Sequence, residues 1–192
     1  MKKTLFFDFF GVVGNEVSPL WLKINNLEYC LPQIRELVSK RLDLGQINED
    51  EMYEIVSNIT GVEPQKIRDD WSSLSKINNE VVNLIELLKK DYNVYLLSNA
   101  SNTFLRRILS KNNLFPLFDE VFISSELKIA KPNPQFYIEV CRRLNVNPVD
   151  CIMIDDNPKN IAGALEVGIT GIVFANAEQL TDELKCKYDI KI

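Results

Sequence analysis

Thr4-Leu5-Phe6-Phe7-Asp8-Phe9-Phe10-Gly11 is a short apolar run, rich in aromatics, with one carboxylate inside it and a glycine at its end. Its length and aromatic content predict a buried strand over residues 4–10. Four later runs have the same character: Asn93 to Ser98, Glu120 to Ser124, Cys151 to Ile154 and Gly171 to Phe174. Near-continuous apolar strands belong to a parallel sheet covered on both faces. Helical patterns lie between them. Val81 to Lys90 and Thr103 to Asn112 repeat apolar residues at helical spacing. Asn133-Pro134 and Asn157-Pro158 each set a capping residue before a first-turn proline, and the second helix runs out near Gly168. Alternating strands and helices predict an α/β fold with a doubly wound parallel sheet.

Residues 15–78 break the alternation. They are helical in pattern, with turn signals at Leu44-Gly45, Thr60-Gly61 and Glu63-Pro64, and with Asn48 and Glu51 spaced as a variant capping box. The predicted division is an α/β core of residues 1–14 and 79–192 and a helical insert of residues 15–78. An insert directly after the first strand lies over that strand's carboxyl end, where open α/β sheets bind ligands. It reads as a cap or lid, or as a purely structural subdomain.

The chain has 192 residues and no histidine. That excludes a Ser-His-Asp triad, a Cys-His pair and an HExxH zinc helix. Catalysis must use carboxylates, lysine, hydroxyls, thiols or a metal. The net charge is -5, from 22 Lys+Arg against 27 Asp+Glu, which offers no basic footprint for nucleic acid. Arg106-Arg107 and Arg142-Arg143 fall in helical patterns and read as solvated faces. Cys30, Cys141, Cys151 and Cys186 form no CxxC pair, and reduced thiols in a cytoplasmic protein are expected. Met1-Lys2-Lys3 before an apolar run imitates a signal peptide, but Asp8 interrupts the run and no cleavage site follows. No stretch approaches the ~18 apolar residues of a membrane span, so no membrane partner is expected.

Polar residues stand at or just after the strand ends: Asp8, Ser98, Lys131 and the pair Asp155-Asp156. With the first strand central and the second and fourth beside it, they converge on one crevice. Each has a plainer reading when taken singly: Asp8 as a turn former, Ser98 or the aspartate pair as helix caps, Lys131 as a surface lysine. Their joint order is much harder to assign to chance.

Together the motifs resemble the haloacid dehalogenase superfamily, in the subgroup with a small helical cap inserted after the first strand of a Rossmann-like core. The match lies in Phe7-Asp8-Phe9-Phe10-Gly11-Val12-Val13, in Leu96-Leu97-Ser98-Asn99-Ala100-Ser101, in Lys131-Pro132-Asn133-Pro134-Gln135-Phe136-Tyr137 and in Ile152-Met153-Ile154-Asp155-Asp156-Asn157, with Asn160, Ala164 and Gly168 behind. The resemblance implies a hydrolase acting on a small phosphate ester through an aspartyl-phosphate on Asp8. Implied metal ligands are Asp8, the backbone carbonyl of Phe10 and Asp156, with Asp155 supporting the shell. Implied phosphate contacts are Ser98, the backbone N–H of Asn99 and Lys131, which is also catalytic. A carboxylate needs no deprotonation to attack at neutral pH. The three aspartates and a phosphate dianion total about -5, against about +3 from Lys131 and Mg²⁺, which makes the implied cofactor close to obligatory.

Position 10 departs from the pattern. Phosphatases of this family carry a second aspartate there, which protonates the leaving oxygen and then activates water. Phenylalanine can do neither, and a positioned acid–base contributes about 10²–10⁴-fold. Three outcomes follow: a phosphatase limited to good leaving groups or using a cap carboxylate such as Glu16, a non-catalytic binder of phosphate ligands, or dehalogenase- or phosphonatase-like chemistry. Asp155 and Asp156 would repel a haloacid carboxylate, which ranks dehalogenation low.

Overall fold

In the computed structural model, which describes residues 3–192, five parallel strands form one sheet in the order β3-β2-β1-β4-β5. The strands are β1 (Thr4–Phe7), β2 (Asn93–Ser98), β3 (Glu120–Ile123), β4 (Cys151–Asp155) and β5 (Thr170–Val173). The expected doubly wound α/β arrangement is therefore present, with β1 central. β1 ends at Phe7, three residues earlier than the apolar run suggests. The chain turns there because Gly14 and Gly11 close a loop: the Gly14 N–H donates to the Phe9 carbonyl and the Gly11 N–H to the Gly14 carbonyl. Phe9 and Phe10 are apolar because they pack in this loop and beside it, not because they continue the ladder. Met1 and Lys2, the basic start weighed against a signal peptide, lie outside the described residues. Among the described residues no helix is long and apolar enough to cross a membrane.

Side chains of a strand alternate between faces. Leu5 and Phe7 join Val94, Leu96, Ile152 and Ile154 in one buried cluster, while Phe6 joins Phe122, Met153, Phe136 and Val140 in another. Both faces are covered, which is why the strands read as nearly unbroken apolar runs.

Residues 17–74 hold five α-helices, a short 3-10 turn at Glu28–Cys30 and no strand: α1 (Val17–Ile24), α2 (Leu31–Ile34), α3 (Lys40–Asp43), α4 (Glu49–Thr60) and α5 (Pro64–Leu74). A π turn at Arg35–Ser39 joins α2 to α3. Asn48 caps α4 in a full capping box, its side chain accepting from the Glu51 N–H while Glu51 accepts from the Asn48 N–H. The helix stops at Gly61, whose φ of 72° suits glycine. The entry and exit of this segment are stitched together. Asn15 donates to the Leu74 carbonyl and accepts from the Lys76 N–H, and the Asn78 N–H donates to the Val13 carbonyl.

The remaining helices are α6 (Asn79–Leu88), α7 (Asn102–Lys111), α8 (Ser124–Leu127), α9 (Pro134–Leu144), α10 (Pro158–Leu165) and α11 (Ala177–Tyr188). Asn133 and Asn157 cap α9 and α10 through their side chains, as their place before proline predicts. Glu49 of α4 reaches across to α7. It accepts two hydrogen bonds from Arg107, at 2.6 and 3.1 Å, with further bonds from Thr103 and from Tyr53. A buried carboxylate with these donors ties α4 to α7.

Candidate active site

Strand register brings the acidic residues level. Phe7 pairs with both Leu96 and Ile154, so Asp8 emerges beside Leu97 and Asp155. The Asp8 N–H donates to the Ile154 carbonyl at 2.9 Å, and Asp8 Oδ1 accepts from the Phe9 N–H at 2.6 Å. Asp8, Asp155 and Asp156 each present an oxygen, all within 4.8 Å of one another. Burial pushes the Asp8 carboxyl well above its usual range, against the pull of Lys131. Asp156 is also pushed up, by burial and by Asp155.

Lys131 lies between α8 and α9 with its side chain fully buried. Its ammonium sits 3.0 Å from Asp8 and 2.6 Å from Asp155, and donates to the Leu97 carbonyl at 2.8 Å. Asn99 grips the backbone of the same residue, donating to its carbonyl at 2.8 Å and accepting from its N–H at 2.9 Å. Gly163 of α10 lies under this loop; a Cβ there would fall 2.0 Å from the Pro132 carbonyl oxygen. Asp155 is held on every side, by Lys131, by the Asn160 amide at 2.9 and 3.0 Å, and by the Asn157 N–H at 2.9 Å. Gly11, at φ 82°, lets the loop pass Asp156: a Cβ would fall 2.3 Å from its Oδ2.

Ser98 ends β2, one register step beyond Leu97. Its hydroxyl is fully buried and has no hydrogen-bond partner. A buried orphan donor at a strand end is costly without a ligand. The Phe10 ring stacks on Phe104, 6.2 Å between centroids and 16° between planes, and meets Phe9 edge-on.

Asp8, Ser98, Lys131, Asp155 and Asp156 thus converge at the carboxyl ends of β1, β2 and β4. Beside them opens a cavity of about 550 Å³ lined by Asp8, Phe10, Glu16, Arg35, Asp43 and Asp156 among others. A smaller apolar cavity of about 130 Å³ adjoins it at Phe10, Trp71 and Phe104. Arg35 and Asp43 were not legible as site residues. A usable signal was present: Leu31, Arg35, Ser39 and Asp43 recur every four residues.

Asp43 is pushed up to about 7 by burial, with Lys131 opposing and Glu16 adding. Its raised folded-state pKa means the folded protein holds this proton more tightly than the unfolded chain. The associated stability is full below about pH 4 and is lost as pH rises toward 7. Asp43→Asn removes the charge of this half-buried carboxyl. Its melting temperature should exceed that of the wild type by an amount that grows between pH 4 and 7 and is flat above about pH 8. Thermal melts of both proteins in chelator across that range check this.

The haloacid dehalogenase-like hydrolase family matches residues 2–168, and the chain belongs to that family of hydrolases. Flavin mononucleotide hydrolase 1 of Arabidopsis thaliana is 50% identical over 54 residues, which is 28% of this chain and only 22% of that protein. (S)-2-haloacid dehalogenase 1 of Pseudomonas sp. (strain CBS-3) is 28% identical over 84% of this chain and 72% of its own. Sesquiterpene phosphatase astK of Aspergillus oryzae is 22% identical over 95% of this chain and 91% of its own. A HAD family enzyme from Bacteroides thetaiotaomicron, solved with magnesium and inorganic phosphate, superposes with a TM-score of 0.74 at 25% identity. That superposition covers 92% of this chain and 96% of the other.

Proposed function

We propose that this hydrolase is a Mg²⁺-dependent phosphatase acting on a small phosphate ester through an aspartyl-phosphate on Asp8. The observation that carries the reading is the buried, unpartnered Ser98 hydroxyl, next in the chain to Leu97, whose carbonyl accepts from the Lys131 ammonium. A buried hydroxyl with no acceptor supplied by the protein suits an anion's oxygen. The acidic donor set fits a hard divalent ion: three carboxylates in mutual contact with one lysine are short of positive charge. Asp8, Asp156 and the Phe10 carbonyl would hold Mg²⁺, and bound there it would offset phosphate charge. The Asp8 carboxylate attacks phosphorus while Lys131 stabilises the charge that leaves it. Ser98 and the Asn99 N–H hold the phosphate oxygens. Asp155 holds Lys131 in place, and residues 15–78 act as a cap that shapes the substrate space.

Asp155 and Asp156 would repel a haloacid's carboxylate, so the phosphatase reading stands above dehalogenation. Four free cysteines, three of them buried, suit a reducing compartment such as the cytoplasm. The test is a screen of phosphate esters with and without Mg²⁺, with Asp8→Asn as control. Metal-dependent release of phosphate is expected from the wild type and not from the variant. Equal release from both, or none from either, would overturn the proposal.

A further inference from the structure

The Phe10 ring lies against Phe104 and offers no proton to a leaving group at Asp8. Two carboxyl groups outside the aspartate cluster line the cavity, Glu16 and Asp43. We propose that Asp43 is the general acid–base of the site, delivered from the helical insert to the leaving oxygen opposite Asp8. The proposal rests on the phosphatase reading above.

Helix geometry brings Asp43 to the cavity. In a regular α-helix, residues four apart drift around the axis. The π turn at Arg35–Ser39 rotates less per residue and counters that drift. Leu31, Arg35 and Ser39 therefore face the same cavity as Asp43, which ends α3. Among the described residues no side chain hydrogen-bonds the Asp43 carboxyl, so its proton is free for a substrate atom. Glu16 is the weaker candidate. Asp156 and Arg35 both act on it, which ties it to the acidic cluster and to a neighbouring cation. Asp43 is faced by Glu16 from the segment before α1, by Arg35 from the π turn, by Lys131 from the loop before α9, and by Asp8 and Asp156 across the cavity. Its proton affinity, near neutrality, suits a group that must both give and take a proton.

The step balances. In the first half, Asp8 Oδ bonds to phosphorus and the phosphorus–oxygen bond to the leaving group breaks. Asp43 gives its proton to that oxygen, so the leaving group departs as a neutral alcohol. In the second half, water attacks phosphorus, Asp43 takes one water proton, and the bond from phosphorus to Asp8 breaks. Hydrogen phosphate leaves with both carboxyl groups restored.

Leaving-group dependence tests the assignment, using the full chain with Mg²⁺, an alkyl phosphate and an activated aryl phosphate. Asp43→Asn should lower kcat on the alkyl ester by about 100-fold or more and on the aryl ester by about 3-fold or less. The wild type's fall in alkyl-ester kcat above about pH 7 should vanish in the variant. Adding Phe10→Asp to Asp43→Asn should restore at least about 10-fold of the lost alkyl rate. Equal losses on both esters, or a raised KM with kcat unchanged, would overturn the assignment while leaving the phosphatase reading intact. Absence of Asp8-dependent turnover of the aryl ester by the wild type would instead remove the phosphatase reading, and this proposal with it. A single cooperative melt at or above the wild-type temperature at pH 5 certifies that the variant is folded.

Discussion

On the proposed mechanism, Asp8→Asn will lower Mg²⁺-dependent turnover of phosphate esters by about 10⁴-fold or more. The substitution removes one negative charge and leaves the shape of the side chain almost unchanged. An amide oxygen is a poor nucleophile, so no aspartyl-phosphate can form. The fold should survive, because the charge on Asp8 is itself a burden. Burial holds its carboxyl well above the usual range, so ionising it costs the folded protein stability. The asparagine side chain avoids that cost, and its amide carbonyl can still accept from the Phe9 N–H. The expected result is a protein that melts at or above the wild-type temperature and does not turn over. Steady-state assays beside thermal melts decide this. A variant with more than about a tenth of wild-type activity would move the nucleophile elsewhere.

Lys131→Met will be the most destabilising of the site substitutions. Methionine matches the length of the stem, so little volume is lost. What disappears is a cation with no exposed surface, 2.6 Å from an equally buried Asp155. The carboxylate keeps only neutral donors, from Asn160 and the Asn157 N–H. Removing one member of a buried pair costs about 3–5 kcal/mol. For a chain of this size that lowers the melting temperature by about 6–20 °C. Burial works against the lysine charge, but Asp8 and Asp155 together hold its pKa above the ordinary value. A raised lysine pKa keeps the contribution in force at neutral pH and forfeits it only as pH rises beyond about 10. Adding Asp155→Asn should recover much of the loss, since both charges are then gone. A single variant as stable as the wild type would show that the pair carries no net weight.

Both expectations concern residues that the sequence marks out. Asp8, Lys131, Asp155 and Asp156 are charges set in or beside apolar runs, and chemistry leaves few other reasons for a charge there. Secondary structure was legible for the same reason: strands buried on both faces cannot hide their apolar runs, and the asparagine–proline pairs declare where α9 and α10 begin. The boundaries were less legible. Phe9 and Phe10 prolong the run of β1 although the ladder ends at Phe7, because apolarity reports burial and a buried loop is as apolar as a strand. Asn99 shows a different limit. Its place after Ser98 suggests a backbone contact to phosphate, while its side chain proves to clamp the backbone of Lys131, a partner 32 residues away.

By itself the sequence determined the parallel α/β class, the family and the set of charges at the strand ends, since those depend on local apolarity and on residue type. The tertiary structure alone decided what surrounds those charges. Register put Asp8 level with Asp155, Gly163 let the Lys131 loop settle onto α10, and a π turn aligned Arg35 and Asp43 on the cavity. Such relations join residues that are distant along the chain or depend on small changes in helix pitch, and neither composition nor short-range spacing encodes them.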